Sequence, residues 1–399
     1  MKQRRLKIGI FLDNYYPSID GVIVVVDNLC KELSKFNDVT LVVPYTISMS
    51  EDKSRGYEVK RIRSFKIPFS EYRLSEIKPK YSRAYKYLLS KKFDIIHIHS
   101  PFAVGNLGVR IAKDLHIPVI CTMHTRYDFE IRKRIDSELI IKSIIKEMMK
   151  VFNKCDGGIA INNAMKKVFR DFGCTLKPTV IYNGTDLKGI TNKEVACDIV
   201  NKKYDLKSDE TVFLFVGRLI EIKNIFFILD ALKLLKEEGY KFKMMYVGYG
   251  PDERELKHRI KEYDMNNDVI LTGKITDRNL LSSIYARADL FLFPSLFDAS
   301  SLVQIEAAVN KTPGLFIKGS VTSDTVINNK SGFTSDNSVI AYKDRIKEIM
   351  GNKKLLNEVS ENAKKMLGKS WESISIETYN YYLKVIKKYN SWFYKTNNH

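Results

Sequence analysis

The sequence predicts an α/β protein with two doubly wound parallel-sheet domains joined in series. A chain of 399 residues is long for one hydrophobic core, so two domains are expected. Short apolar segments alternate with amphipathic helical segments along most of the chain, which is typical of a parallel sheet covered by helices on both faces. This alternation stops in a polar stretch near residues 188–210 and then begins again, which indicates a linker between two domains.

The predicted elements follow the same order in both halves. The first half has strands at residues 7–13, 39–44, 93–100, 118–124, 157–162 and 178–184, with a helix at 24–36. The second half has strands at 211–219, 241–248, 269–273 and 289–295, with helices at 224–239, 253–263 and 278–288. We therefore predict a first Rossmann-like domain at residues 1–188, a second at 189–372, and an aromatic-rich helix at 373–399 that packs back toward the first domain.

Composition excludes several classes of protein. Hydrophobic residues make up 44% and charged residues 28%, which is ordinary for a globular protein. The apolar runs are far shorter than the ~20 residues that span a bilayer, and the N-terminal apolar run has the length of a strand and no cleavage site for a signal peptide. The five cysteines are scattered without a Cys-x-x-Cys pair, which argues against zinc and disulfides and favours the cytoplasm.

The net charge of +19 is concentrated in the first half of the chain. Residues 1–188 hold 34 Lys and Arg against 20 Asp and Glu. No nucleic-acid recognition motif is present, so we expect an anionic membrane surface as the partner. In the segment at 78–93, Tyr81, Tyr85 and Leu88 would share one helix face flanked by cations, which suits a lipid headgroup region. The alternative is that these side chains pack on the sheet and the lysines are solvated.

Candidate site residues follow the strands, because ligands of open parallel sheets bind beyond the carboxyl ends of the strands. In the first domain they are Asp20, Gly21, Ser100, His124, Thr125 and Asn183. In the second they are Gly217, Arg218, Lys223, Gly248, Gly250, Ile275, Asp298, Ala299, Ser300, Ser301, Leu302 and Glu306.

Two of these patterns suggest a phosphate site. Arg218 and Lys223 lie five residues apart around a helix start, where two cations and free backbone amides can meet one diphosphate. Gly248 and Gly250 lie in a strand-to-helix turn and would let backbone approach a ligand closely. Glu253 takes the place of the third glycine, so the turn is not a dinucleotide fingerprint. The alternatives are a solvated pair of cations and a plain tight turn.

The stretch FPSLFDASSLVQIEAA, residues 293–308, carries two carboxylates eight residues apart. Asp298 on the loop can accept hydrogen bonds from sugar hydroxyls, and Glu306 in the following helix can bind a ribose diol. The amides at the start of that helix can hold a diphosphate. The combination fits a nucleotide-sugar, and the alternative is a helix-capping Asp with a surface Glu.

Taken together, these motifs resemble the retaining glycosyltransferases of family 4, which have the GT-B fold of two Rossmann-like domains facing a central cleft. The second half matches the family's G-R, its Lys five residues later, G-x-G, and an E-x7-E motif that ends in E-A-x-x-x-G-x-P. In the first half, YYPSIDGV, HIHSPF, HTRY and YNGTD match in order and spacing. The chain is most similar to members that attach glucose or another hexose to membrane diacylglycerol or to related envelope acceptors.

The resemblance implies a role for each matching residue. Arg218 and Lys223 would bind the donor diphosphate together with the amides of residues 300–302. Asp298 would hold the transferred sugar, and Glu306 the ribose hydroxyls. The first domain would bind a lipid or glycan acceptor.

Two residues of the first domain also receive roles from the resemblance. His124 would contact the sugar near the reacting carbon, and Gly21 would let its loop approach the diphosphate. The donor is expected to be a UDP-sugar, which is a co-substrate, so no cofactor is expected. No Asp-x-Asp motif lies near a strand end, so we expect turnover without a metal. We also expect a peripheral location on the inner face of the cell membrane.

Two departures from the family pattern leave alternatives open. Asp298 replaces the usual Glu, and Lys311 replaces a glycine at a helix end where φ > 0 is allowed. Keeping that geometry with Lys311 would cost about 1 kcal/mol. The departures favour a nucleotide-sugar-binding partner subunit with impaired catalysis as one alternative function, and a nucleotide-sugar epimerase on the same fold is another.

Overall fold

The computed structural model describes residues 4–17, 20–45, 50–66, 73–75, 82–132, 134–296, 298 and 302–397. The chain divides into two compact units. The first unit comprises the chain up to Asn183 together with the C-terminal segment from Trp371, and the second unit is Gly184–Ser370. Each unit is built on its own parallel sheet with helices, which confirms the predicted fold class.

The first unit is ordered around a sheet whose strands all run parallel. Its strands are β1 (Lys7–Phe11), β2 (Asp38–Pro44), β3 (Glu58–Ile62), β6 (Ile95–Ile98), β7 (Val119–Met123), β8 (Gly157–Ala160) and β9 (Thr179–Val180), with a separate hairpin of β4 (Ser64–Lys66) and β5 (Arg73–Ser75). Its helices before the unit boundary are α1 (Gly21–Ser34), α2 (Arg83–Ser90), α3 (Ala103–Leu115), α4 (Tyr127–Arg132), α5 (Glu138–Phe152) and α6 (Asn163–Asp171).

The strand order of this sheet, β3-β2-β1-β6-β7-β8-β9, reverses between β1 and β6. The central strands are buried except for Lys7 and are mostly apolar, as expected when helices cover both faces of a parallel sheet. The reversal leaves the loops after β1 and β6 side by side at the carboxyl edge. That edge is where the predicted site residues of this unit follow their strands.

The second unit repeats this design with a sheet of six parallel strands. Its strands are β10 (Val212–Val216), β11 (Lys243–Val247), β12 (Val269–Gly273), β13 (Leu290–Leu292), β14 (Gly314–Ile317) and β15 (Phe333–Ser335). Its helices are α7 (Lys193–Tyr204), α8 (Ile225–Glu237), α9 (Glu253–Glu262), α10 (Arg278–Arg287), α11 (Leu302–Val309), α12 (Val339–Gly351) and α13 (Lys353–Leu367). The order β12-β11-β10-β13-β14-β15 reverses between β10 and β13.

The last helix, α14 (Trp371–Asn397), packs on the first unit. Its tyrosine hydroxyls find polar partners there, as buried tyrosines require. Tyr381 accepts a hydrogen bond from the amide of Gly158 at 3.0 Å and donates to the carbonyl of the same residue at 3.0 Å. The Tyr382 hydroxyl lies 2.8 Å from Nδ1 of His97.

The polar stretch that was predicted to be a linker contains helix α7, so that prediction was wrong. Ala196 and Val200 of this helix are buried. The Arg287 guanidinium ties the helix to α10 by donating to Oδ1 of Asn201 at 2.6 Å. The helix is anchored by few apolar contacts and one buried cation, and for that reason its sequence looks polar.

Lys311, just beyond the end of α11, has a φ of 61°. This left-handed conformation confirms that the helix end keeps the geometry for which the family uses glycine. The amides of Lys311 and Thr312 still close the helix by donating to Ala308 and Ala307 at 3.0 and 2.9 Å. The Lys311 ammonium pairs with Oε1 of Glu361 at 2.5 Å, but both side chains are about half exposed, so the pair stabilises little.

Lys311→Gly is expected to raise the free energy of unfolding above that of Lys311→Ala by about 1 kcal/mol, because only glycine adopts this φ without a steric cost. Both changes are made in a Glu361→Gln background, in which the ion pair is already absent. Urea unfolding followed by circular dichroism gives the comparison. Equal stability of the glycine and alanine variants would contradict the strain at this helix end.

Candidate functional site

The loops after β10 and β13 meet where the strand order of the second sheet reverses, the position at which doubly wound sheets bind ligands. Lys223 on the first loop forms an ion pair with Oδ1 of Asp298 on the second. Asn224 follows with a φ of 57° and donates from Nδ2 to the carbonyl of Pro294 at 2.8 Å. The structure thus joins two predicted site residues, and it fixes the loops that carry them.

The Asp298 carboxylate is only half satisfied. Its Oδ2 is buried and has no hydrogen-bond partner among the described residues, and the same holds for Oγ of Ser295. A buried polar atom without a partner costs about 1–3 kcal/mol. These two oxygens therefore indicate that a polar ligand completes this loop. Ala299, Ser300 and Ser301 lie outside the described residues, while Leu302 is the first residue of α11.

Glu306 is buried on α11, and both of its carboxylate oxygens have partners. Arg278 donates to Oε1 at 2.8 Å, and the Tyr285 hydroxyl donates to Oε2 at 3.0 Å. Burial raises the pKa of Glu306, and the nearby Arg278 guanidinium opposes that rise. Arg278 also pairs with Asp186. Sequence reasoning missed Arg278, although it lies near the end of a strand, the signal that identified the other residues. Asp186 is the last residue of the YNGTD motif, but no role was predicted for it.

The glycines of the second unit are explained by contacts between its loops. Gly248 has a φ of 141°, and a Cβ there would lie 1.8 Å from the carbonyl oxygen of Gly217. A Cβ on Gly250 would lie 2.0 Å from the carbonyl oxygen of Leu219. The β10 and β11 loops therefore need these glycines to pack against each other, whether or not a ligand is bound. On the same edge, Arg218 is exposed and Ile275 is partly buried.

In the first unit, the loops after β1 and β6 are joined by Asp13. Its carboxylate accepts hydrogen bonds from Ser100 Oγ at 2.6 Å and from the amides of Val104 and Gly105 at 2.6 and 3.1 Å. It thereby caps α3 from a neighbouring strand end. Burial raises the pKa of Asp13 to about 6, despite these hydrogen bonds. Ser100 was predicted to bind substrate, and the structure shows its hydroxyl engaged with Asp13.

Asp20 and Gly21 begin helix α1. Asp20 caps the helix by accepting a hydrogen bond from the amide of Ile23 at 2.8 Å. A Cβ added to Gly21 would meet no atom of the described residues within 4 Å. Packing within the described protein therefore does not explain this glycine, in contrast to those of the second unit. The open space at Gly21 suits the close approach of a ligand.

His124 belongs to a row of three buried histidines at the ends of β6 and β7. Its Nε2 lies 2.8 Å from Nδ1 of His99, and the His99 ring lies 4.0 Å from the His97 ring, measured between centroids. Burial lowers the pKa of all three, that of His124 to about 3, so the row is neutral at pH 7. Thr125 follows His124 and is partly exposed, and Asn183 is buried at the end of the first unit.

The structure overturns the lipid-facing surface predicted for the segment at 78–93. Tyr85 and Leu88 of α2 are buried, and the Tyr85 hydroxyl donates to Oδ2 of Asp114 at 2.6 Å. Tyr81 lies outside the described residues. Helical periodicity grouped these side chains on one helix face correctly, but that face packs on the protein.

An exposed apolar pair lies elsewhere in the first unit, on the first turn of α5. Leu139 is 80% exposed and Ile140 is 51% exposed. Exposed Arg134, Lys142 and Lys146 lie near them along the chain. We call these five residues the α5 tip. None of the described helices is long and apolar enough to cross a bilayer.

The fold and the strand-end residues define a two-domain α/β protein of the GT-B class. The overall fold matches a crystal structure of Anabaena Alr3699/HepE in complex with UDP, with a TM-score of 0.75 at 15% identity, over 94% of this chain and 98% of that one.

The family is shown by two family models that together match most of the chain. Glycosyltransferase Family 4 matches residues 19–188, and Glycosyl transferases group 1 matches residues 198–366. The chain therefore belongs to the GT-B glycosyltransferases of family 4.

Two relatives are both named alpha-monoglucosyldiacylglycerol synthase. The protein from Streptococcus pneumoniae is 27% identical over 77% of this chain and 70% of its own length. The protein from Acholeplasma laidlawii is 27% identical over 96% of this chain and 98% of its own length.

The buried histidines predict acid sensitivity of the first unit. Their lowered pKa values mean that the unfolded chain binds protons below about pH 6.5 while the folded unit does not, so stability is lost as the pH falls. Each histidine contributes about 1.4 kcal/mol per pH unit. The pKa values of Asp13 and Asp156 are raised by burial, so these two carboxyl groups take up protons in the folded unit first as the pH falls. They therefore offset the contributions of up to two of the three histidines. The expected net fall is about 1–3 kcal/mol per unit between pH 6 and 4.5.

Fluorescence can follow this loss, because both tryptophans, Trp371 and Trp392, lie on α14 of the first unit. Urea unfolding is measured at several pH values. His258→Gln serves as the control, because His258 is exposed on α9 of the second unit, and it should leave the slope unchanged. A first unit equally stable at pH 7 and pH 5 would contradict the prediction.

Proposed function

We propose that the protein transfers a glucose-like hexose, with retention of anomeric configuration, from a UDP-sugar to a membrane lipid or another envelope glycan acceptor. The observation that carries this proposal is the Lys223–Asp298 pair with its unsatisfied carboxylate oxygen at the strand-order reversal. The pair places a cation that can bind phosphate next to a carboxylate that can accept hydrogen bonds from sugar hydroxyls. The names of the relatives support a lipid acceptor, and the HepE complex supports a uridine nucleotide.

The proposed roles follow the chemistry of each group. Lys223 and Arg218 stabilise the diphosphate as the bond between C1 and the phosphate oxygen breaks, which replaces the charge that a metal would supply. Asp298 Oδ2 accepts a hydrogen bond from a hydroxyl of the transferred sugar. Glu306 holds the ribose through the lone pairs that Arg278 and Tyr285 leave available.

Retention results when the acceptor oxygen attacks C1 from the face that the diphosphate leaves. The proton of the acceptor hydroxyl passes to the departing phosphate oxygen, so no side chain has to act as the base. His124 contacts the sugar near C1. The protein performs this reaction at the inner face of the cell membrane, with the first unit binding the acceptor.

Removal of either diphosphate cation is expected to cost about 2–4 kcal/mol of transition-state stabilisation, which lowers the rate of transfer roughly 30- to 1000-fold. Arg218→Ala and Lys223→Ala are compared with Lys257→Ala, which removes an exposed lysine from α9 of the same unit. Nucleoside diphosphate release is measured from a panel of nucleotide-sugars, with and without lipid extract, in buffer containing EDTA.

Each outcome of this assay has a defined meaning. Near-normal transfer by both variants would remove the proposed donor site, and turnover restored only by added metal would overturn metal independence. Donor binding without any hydrolysis or transfer would support a partner subunit. An isomerised sugar formed without acceptor would support an epimerase.

The α5 tip supports the membrane part of the proposal. Two exposed apolar side chains can insert between headgroups while Arg134, Lys142 and Lys146 bind anionic lipid, each contributing about 1 kcal/mol, against the opposing charges of exposed Asp136 and Glu138 beside them. The protein is expected to sediment with phosphatidylglycerol vesicles, to be released as salt rises, and to ignore neutral vesicles.

Replacing Leu139 and Ile140 together by Gln is expected to weaken vesicle binding about tenfold or more, since each buried apolar side chain is worth about 1.5–3 kcal/mol. The matched control replaces Val195 and Ile199 by Gln, a pair 54% and 48% exposed on α7 of the second unit. Equal loss in both double variants, or equal binding to neutral and anionic vesicles, would contradict a membrane role for the α5 tip.

A further inference from the structure

The histidine row gives each ring a different hydrogen-bonding environment. His97 is satisfied at both nitrogens, with Thr122 Oγ1 at 2.6 Å from Nε2 and the Tyr382 hydroxyl at 2.8 Å from Nδ1. The His99 ring lies 4.0 Å from the His97 ring at an interplanar angle of 36°, and only its Nδ1 has a hydrogen-bond partner, His124 Nε2 at 2.8 Å. Nε2 of His99 is buried without a hydrogen-bond partner among the described residues.

One hydrogen lies between His99 and His124, and two arrangements of neutral rings are possible. If His124 donates from Nε2, His99 must carry its own hydrogen on Nε2, where a buried N–H would have no acceptor. If His99 donates from Nδ1, its Nε2 is a bare lone pair. Buried N–H groups without partners are rarer than acceptors left unsatisfied, so the second arrangement is favoured.

We propose that His99 is a positioning residue that fixes His124 as the tautomer with its hydrogen on Nδ1. With Nε2 occupied as an acceptor, the only nitrogen of His124 left for a ligand carries a hydrogen. His124 therefore donates a hydrogen bond to a ligand oxygen and does not take a proton from the acceptor. This inference rests on the proposed function, in which that oxygen belongs to the nucleotide-sugar.

The contacts of His97 explain why His99 keeps its orientation. The His97 ring is held from one side by Thr122 of β7 and from the other by Tyr382 of α14. The His97 ring in turn lies against the His99 ring, and the His99 and His124 rings are nearly coplanar, with centroids 5.1 Å apart and an interplanar angle of 18°, as their in-plane hydrogen bond requires. The C-terminal helix thus contributes to the orientation of His124 without contacting it through a hydrogen bond of its own.

The tautomer can be read directly from nitrogen chemical shifts. The full-length protein is labelled with ¹⁵N-histidine, and long-range proton–nitrogen correlation spectra identify which nitrogen of each ring carries hydrogen. Signals of His99 and His124 are assigned from single substitutions at each position. Hydrogen on Nδ1 of both rings is the expected result, and hydrogen on Nε2 of His124 would overturn the proposal.

A pair of substitutions of nearly equal size tests the consequence for activity. In His99→Asn the amide can still donate near the position of Nδ1, whereas the carboxylate of His99→Asp can only accept. We expect His99→Asp to move the hydrogen of His124 to Nε2 and to lower kcat roughly tenfold or more relative to His99→Asn, with a smaller change in KM. Equal kcat in two folded variants whose His124 tautomers differ would contradict the positioning role.

The spectra of the unsubstituted protein decide the tautomer even where His99→Asp does not fold. They also separate this inference from the proposed function. A protein that transfers no sugar but carries hydrogen on Nδ1 of His124 would refute the function alone. A transferase with hydrogen on Nε2 of His124 would refute this inference alone.

Discussion

The functional residues of both units depend on one topological constraint, the point at which each parallel sheet reverses its direction of winding. Neighbouring strands there send their following segments to opposite faces of the sheet, so the two loops diverge and leave space for a ligand. Side-chain contacts must hold such loops together, because the regular hydrogen bonding of the sheet ends within a few residues of each strand end. In the first sheet Asp13 does this by binding Ser100 and the start of α3. In the second, Lys223 and Asn224 do it by binding Asp298 and Pro294.

Sequence reasoning was most successful for the site residues that directly follow strands, because the carboxyl edge of the sheet brings them together. Buried strands such as β10, and β1 after its exposed first residue Lys7, are apolar, so their ends can be located, and the polar residues that follow them are brought to one edge. This is why Lys223 and Asp298 were both identified, 75 residues apart, before their pairing was seen. The histidine row had a comparable signal, because His97 and His99 are two residues apart on one strand and must share a face.

Other features depend on partners that a local pattern does not specify. The face of α2 containing Tyr85 and Leu88 was correctly grouped, yet periodicity does not say whether protein or lipid covers it. Helix α7 looked like a linker because most of its side chains are polar. The edge strand β3 was missed for a related reason, since only Ile62 of its five residues is fully buried. The Arg278–Glu306 pair joins helices α10 and α11, and these helices are neighbours only because of the strand order of the whole sheet.

The charges of the second unit explain how one ligand can organise this edge. Lys223 is paired with Asp298, and Arg278 with both Glu306 and Asp186, whereas Arg218 is exposed and can meet a diphosphate without first leaving a carboxylate. Under the proposed function, a phosphate that draws the Lys223 ammonium toward itself weakens its hold on Asp298. The carboxylate then needs another hydrogen-bond donor, and the hydroxyls of the sugar supply one. Diphosphate and sugar are therefore recognised together, because the two halves of one ion pair each exchange a protein partner for a part of the same ligand.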